Sequence, residues 1–196
     1  MMASYSFAHD CQTLEAENQT LINQILDFSK IEAGKMKLVK EKVDLLKLLE
    51  NAVALVRQSA IQKKISLEFD FDKALLLDIE ADPVRLRQVV VNLLSNAVKF
   101  THEGKVVLRV VKMVELDENV VFRVEIADTG IGISEDQKQF LFTAFGQADT
   151  STTKKYGGSG LGLVISNNLL EMNASQSIPI ATASPCFNGF LSFFKL

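Results

Sequence analysis

Two hydrophobic rhythms alternate along the chain. Near the start, Cys11, Leu14, Leu21, Ile25 and Phe28 recur at three- and four-residue spacings, with Asn18 at one seam position. This predicts a helix over Cys11–Glu32 bearing a coiled-coil seam of about three heptads. That seam either pairs with another helix or folds against its own domain, and Gly34 ends the helix. A second helix is predicted over Val43–Lys63, its apolar face made of Leu45, Leu48, Leu49, Ala52, Val53 and Val56. The period then drops to two: Ile65–Phe71 reads as a strand and Leu75–Ala81 as a second, shorter one. Asp82 stands where an N-cap belongs and Pro83 at the first helical position, so a helix starts there and runs to Phe100. Lys105–Val114 and Val120–Asp128 are β-rich and flank a polar LDEN turn, which predicts a hairpin. Glu135–Phe142 reads as a short helix, and Leu161–Met172 as a last helix opening from glycines. In the tail, SIPIATAS and GFLSFFKL can supply two strands, Pro179 demoting the first to an edge or irregular strand.

Composition narrows the picture. The 196 residues suffice for one domain, or one domain plus an appendage. Hydrophobic residues at 47% fill a core, and 23% charged residues fit a globular chain. A net charge of −3 gives no case for nucleic acid or an anionic membrane. Cys11 and Cys186 form no disulfide framework and fit a reducing compartment. No apolar run reaches the ~18–20 residues of a membrane span, and the first residues lack the pattern of a signal peptide. A cytoplasmic location is therefore expected.

Three stretches carry candidate chemistry. In DPVRLRQVVVNLLSNAVKFT (Asp82–Thr101), Asn92, Asn96 and Lys99 share one helix face beside buried valines and leucines. Amides and an amine beside a core suit an oxygen-rich ligand such as a magnesium-bound phosphate. The alternative is that the asparagines cap buried backbone groups and the lysine is solvated. In DTGIGI (Asp128–Ile133), Gly130 and Gly132 let the backbone approach a ligand closely. Asp128 could equally form the turn. In GGSGLGL (Gly157–Leu163), backbone N–H groups at a helix N-terminus suit an anion, with Lys154 and Lys155 beside them. The polar segment 143–159 has the length of a lid or a disordered loop. His102 is expected at the surface.

In this order the three stretches resemble the N, G1 and G2 boxes of the sensor histidine kinase ATP-binding domain, of the GHKL or Bergerat type. FLFTAFGQADTSTTKKYGG (Phe140–Gly158) resembles its F box and ATP lid, and ILDFSKIEAGK (Ile25–Lys35) the end of its dimerisation region. The resemblance covers Leu14–Met172 and is closest to hybrid kinases. It implies an α/β (α+β) two-layer sandwich, a mixed sheet packed on helices with an ATP lid, preceded by a dimerisation-type helix. The implied division is 1–36, the second helix of a phosphoacceptor hairpin, and 37–196, the catalytic domain. The implied ligands are ATP and Mg2+. Asn96 becomes the metal ligand, and Asn96 and Lys99 the catalytic pair. Asn92 and Lys99 face phosphate. Asp128 accepts from the adenine amino group, with Gly130, Gly132 and Ile133 beside the purine. Lys155, Tyr156, Gly158, Gly160, Leu161 and Gly162 complete the nucleotide site. Tyr156 either stacks on adenine or packs. Phe140, Phe142 and Phe145 are expected to anchor the lid.

Two departures qualify this. The H-E-x-R-T-P acceptor box does not occur in the sequence; His9, followed by Asp10-Cys11-Gln12, does not match it. The expected partners are therefore ATP, a phosphoacceptor hairpin or kinase chain, a response-regulator receiver domain and a second copy, with no nucleic acid. A non-catalytic regulator and an ATP-hydrolysing relative such as an Hsp90 chaperone are the rivals. The latter uses a glutamate where this chain has Asn92. The tail also lacks the two glycines that relatives carry after the last helix.

Overall fold

The computed structural model describes residues 18–71, 78–116, 119–138, 140–144, 159–173, 181–183 and 188–195. Two compact units divide the chain, Met1–Lys37 and Leu38–Leu196.

In the first unit, helix α1 covers 18–32. Gly34 ends it at a φ of 63°, its N–H bonding Ile31 O at 2.9 Å while Lys35 N–H reaches Lys30 O at 2.8 Å. These crossed bonds are the Schellman closure that a left-handed residue permits. Leu21 and Ile25 of the expected seam are 40% and 44% exposed, and Ile22 and Leu26 beside them are exposed as well. The seam residues Cys11 and Leu14, with His9, lie outside the described residues.

The second unit holds all the strands. Strand β1 (Glu41–Asp44) pairs antiparallel with β3 (Asp78–Ala81). Its single buried residue, Val43, is too little for a strand signal in sequence, so the expected helix start at Val43 shifts. Helix α2 runs Leu45–Gln62, with Asp44 as N-cap accepting from Lys47 N–H. All six residues of its expected apolar face are buried. Strand β2 (Ser66–Phe71), helix α3 (Pro83–Phe100), and strands β4 (Lys105–Leu116) and β5 (Asn119–Asp128) follow. The β4–β5 hairpin is tighter than LDEN suggested. Pairing continues to Leu116↔Asn119 and leaves 117–118 between the strands. Helix α4 is one turn, Glu135–Lys138, rather than the expected eight residues. It gives way to three-residue turns, Phe140 N–H bonding Gln137 O and Thr143 N–H bonding Phe140 O. Helix α5 spans Gly162–Asn173, then β6 (Ala181–Ala183) and β7 (Asn188–Lys195).

The main sheet has the order β2-β4-β5-β7-β6. β2 lies parallel to β4 and the other pairs are antiparallel, so the sheet is mixed. β7 inserts beside β5 and leaves the short β6 at the edge, while Pro179 lies outside the described residues. Val106, Leu108 and Val110 of β4 and Val124 and Ile126 of β5 alternate inward. α3 packs on β4, β5 and α5, α2 packs on α3 and β2, and Leu86, Leu94, Leu161, Ile165 and Leu169 are among the helical residues buried there. The opposite face of the sheet carries exposed ion pairs, Arg109–Asp70 and Lys105–Glu68, both at 3.2 Å. Each is worth no more than ~1 kcal/mol. The result is two layers, with α3 as the helix that touches everything: α2, α5, β4 and β5.

Candidate nucleotide site

α3 is fixed at its start. Asp82 Oδ1 accepts N–H bonds from Val84 (3.0 Å) and Arg85 (3.1 Å), and Oδ2 accepts from Val39 at 3.0 Å. Pro83 sits in the first turn, where its missing N–H costs nothing. Leu86, Val89, Val90, Leu93, Leu94, Ala97 and Val98 bury one side of the helix. Asn92, Asn96 and Lys99 flank that stripe and are half-buried. At 1.5 Å per residue, Asn92, Asn96 and Phe100 are each about 6 Å apart along the axis.

The two glycine segments meet this row at its two ends. Asn92 Nδ2 donates to Ser166 Oγ on α5 at 2.9 Å. A Cβ on Gly162 would stand 2.5 Å from Asn92 Oδ1, so only glycine lets α5 begin there. Ser159 Oγ accepts from Leu161 N–H at 3.1 Å, and Leu161 is fully buried, which anchors that beginning. Gly160, just before, takes φ 69°. At the other end Phe100 O accepts Ile131 N–H at 3.3 Å. A Cβ on Gly130 would stand 2.5 Å from the same carbonyl. Asn96 lies between, and its amide has no hydrogen-bond partner among the described residues.

Two charges here are perturbed. Asp128 closes β5, and its Oδ1 accepts Gly130 N–H at 2.8 Å. Burial raises its pKa above the ordinary value, and the Gly130 bond opposes this in part. Lys99 is pulled below its ordinary value, first by burial and then by the nearby Lys63 charge. Its ammonium lies 5.1 Å from the Phe100 ring centre. A desolvated carboxylate and a desolvated amine beside α3 suit a ligand that offers a hydrogen-bond donor and negative oxygens.

Of the expected residues, Asn92, Asn96, Lys99, Asp128, Gly130, Leu161 and Gly162 are joined through α3. Gly132 (φ 75°) and the half-buried Ile133 continue the loop after Asp128. Lys155, Tyr156 and Gly158, with Phe145 and most of the expected lid, lie outside the described residues. Phe140 is 54% exposed and Phe142 is half-buried. His102 is exposed, as expected. Sequence reading missed Ser166 and Lys63. A serine directly after the apolar run Leu163–Ile165, four residues past Gly162, was a signal for the first. Lys63 bonds only backbone carbonyls, which sequence does not mark.

No group of three or more His, Cys, Asp or Glu suited to a metal occurs among the described residues. Among the described residues Asn96 offers an amide oxygen that could hold a cation together with ligand phosphates. This fits magnesium, which keeps waters and phosphates in its shell. A cleft lined by Val43, Asp44, Lys47, Leu48, Pro83 and Arg87 lies at the opposite end of α3 and holds none of these residues. No helix among the described residues is long and apolar enough to cross a membrane.

Residues 81–186, which contain this site, match the family model of the histidine kinase-, DNA gyrase B-, and HSP90-like ATPases. The chain is 44% identical over 157 residues to the sensor protein GacS of Pseudomonas syringae pv. syringae, covering 80% of this chain and 17% of GacS. It is 41% identical over 151 residues to the signal transduction histidine-protein kinase BarA of Escherichia coli K12, covering 77% and 16%. The chain thus spans under a fifth of these relatives' length. In structure it is similar to full-length ShkA in complex with AMPPNP, with TM-score 0.70 and 31% identity over 90% of this chain and 35% of ShkA. The chain belongs to the histidine kinase-, DNA gyrase B- and HSP90-like ATPase family and is a catalytic ATP-binding domain of the hybrid sensor histidine kinase type.

Proposed function

We propose that this chain binds magnesium-ATP along α3 and gives its γ-phosphate to a histidine carried on another segment or chain, as the catalytic module of a two-component kinase. The observation that carries this is the meeting of three separate segments on one helix. Asn92 touches Gly162, Phe100 touches Gly130, and Asn96 stands between with no hydrogen-bond partner among the described residues.

In this reading Asp128 accepts the adenine amino hydrogen through the oxygen that Gly130 does not engage. Gly130 and Gly132 admit the purine plane, and Ile133 lines it. Lys99, Asn92 and the N–H groups of Gly160 and Gly162 face the phosphates, joined by Lys155, Tyr156 and Gly158, while Leu161, whose N–H bonds Ser159 Oγ, anchors the start of α5. Asn96 would hold the magnesium, which when bound neutralises charge on the transferring phosphoryl group. The protein's contribution is positioning and charge balance, the terms that dominate phosphoryl transfer.

Asn92 argues against the hydrolysing relatives. Its amide donates to Ser166 Oγ, and an amide cannot take a proton from water at neutral pH. The exposed row Leu21, Ile22, Ile25 and Leu26 on α1 supports pairing with a phosphoacceptor hairpin or a second copy. Residues 1–36 would then be the second helix of that hairpin, and 37–196 the catalytic domain. A receiver domain is the onward partner, and the cytoplasm the setting.

The test is radiolabelled ATP with the chain alone, with a supplied acceptor hairpin, and with His9→Ala. Transfer to the hairpin only is expected. Acid-labile label on the chain alone, lost in His9→Ala, would make His9 the acceptor. No transfer in any mixture, with ATP binding intact, would favour a non-catalytic regulator.

A further inference from the structure

α2 ends in a strained turn. Lys63 is its C-cap residue, and Lys64 follows at φ 58°, a left-handed conformation that side chains disfavour. Lys64 N–H bonds Ile61 O at 3.0 Å and Ile65 N–H bonds Ala60 O at 2.9 Å, closing the helix. The Lys63 side chain leaves this turn and reaches another helix. Its ammonium donates to Lys99 O at 2.7 Å, to Val98 O at 2.8 Å and to Thr101 O at 3.4 Å. An ammonium has three donors, and here all three meet carbonyls at the end of α3.

Those carbonyls would otherwise be open to another lysine. The last C=O groups of a helix lack intrahelical partners and carry its partial negative charge. Lysines of the last turn commonly fold back onto them. Lys99 is the one basic residue of the last turn of α3. With Lys63 on the carbonyls, Lys99 meets occupied acceptors and a like charge. Its ammonium instead lies over the Phe100 ring, half-buried, on the face it shares with Asn92 and Asn96.

We infer that Lys63 is a positioning residue: by occupying the carbonyls that end α3, it holds Lys99 toward the phosphates of the bound nucleotide. The inference rests on the nucleotide reading above. Lys63 touches no ligand in it and acts only through Lys99. The lowered pKa of Lys99, caused in part by Lys63, agrees with this placement.

The experiment is a double-mutant cycle on magnesium-ATP affinity by calorimetry, using the whole chain. Lys63→Met should weaken binding roughly tenfold, the low end of a lost bond to a charged group. In the Lys99→Met background the same change should alter affinity less than about twofold, because the residue it acts through is gone. The alkaline limit of binding should also move to higher pH in Lys63→Met. Lys63→Arg should restore most of the affinity. If Lys63→Met does not fold, Lys63→Gln carries the same comparison, since it keeps a donor and removes the charge. An equal loss with and without Lys99 overturns the inference, as does misfolding of both neutral variants, since either makes Lys63 a purely structural cap. An unsubstituted chain that binds ATP as tightly as Lys63→Met overturns the inference alone. Failure of the unsubstituted chain to bind ATP overturns the nucleotide reading and the inference with it.

Discussion

Asp128→Asn separates a ligand contact from a structural one. The substitution keeps an oxygen to accept Gly130 N–H, now 2.8 Å from Oδ1, and turns the second acceptor into an NH2 donor. That donor opposes the amino group of adenine. The loss of one hydrogen bond to a charged acceptor is about 1.5–3 kcal/mol, or roughly 10- to 150-fold in Kd. The stability of the empty protein should move the other way. Burial holds the Asp128 pKa above 3.8, so its charged form is disfavoured in the fold. The sign follows: the folded state binds the proton at higher pH than the unfolded chain. The carboxylate therefore lowers stability at neutral pH, a penalty relieved as pH falls through the raised pKa. A neutral amide should leave the apo melting temperature unchanged or slightly raised.

The assay is thermal denaturation with and without magnesium-ATP at 100 times the Kd of the unsubstituted chain. Ligand linkage then adds about 2.7 kcal/mol. For a chain of this size that is about 5–11 °C. With Kd raised about 30-fold, linkage adds only about 0.9 kcal/mol, a shift of about 2–4 °C. An undiminished shift would refute the adenine assignment. A sharp fall in the apo melting temperature would show that Asp128 instead holds the β5–Gly130 turn.

Gly162→Ala would place a Cβ 2.5 Å from Asn92 Oδ1 and force Asn92 off Ser166, so stability should fall by about 1–3 kcal/mol in thermal melts. Helix propensity alone predicts a gain of about 1 kcal/mol, so the sign decides the matter. Lys64→Gly should relieve the left-handed strain at φ 58° and raise stability by about 0.5–1 kcal/mol in urea unfolding; no gain would mean unfolded-state entropy offsets the strain. Asn96→Ala should weaken ATP binding by about 1.5–3 kcal/mol with magnesium and much less in EDTA. Equal losses by calorimetry would make Asn96 structural.

The legibility of this chain in sequence follows the range of the forces involved. The start of α3 was readable to the residue and its end closely, because Asp82 and Pro83 are local start signals and seven apolar residues keep one period. The candidate residues on it stood out for the same reason: Asn92, Asn96 and Lys99 interrupt that period at helical spacing. β1 was not readable, since a four-residue strand with one buried valine exists only because β3 pairs with it. The length of the α4 helix was overestimated because the apolar residues Phe140 and Leu141 suggest continuation, while their backbone N–H groups bond three residues back. Lys63 shows the remaining gap. Its partners are backbone carbonyls 35 to 38 residues away, and such acceptors carry no side-chain signature.

The polar residues of the site are also where the fold is least at ease. Burial disfavours the charged forms of both Asp128 and Lys99, raising the pKa of one and lowering that of the other. Asn96 is half-buried without a partner among the described residues. None of these features helps the apo protein, and an apolar α3 would pack as well. Under the proposed function each would be relieved by one part of the ligand: a donor for Asp128, phosphate oxygens for Lys99, a hard cation for Asn96. The two pKa shifts then predict linked proton movements. Phosphate beside Lys99 favours its protonated form, so nucleotide binding at alkaline pH should take up a proton. An amino donor beside Asp128 favours its ionised form, so binding at acidic pH should release one. Calorimetry in buffers of differing ionisation enthalpy reads both. Proton counts of the opposite sign at the two extremes would show that the strain at these residues serves some other ligand than a nucleotide.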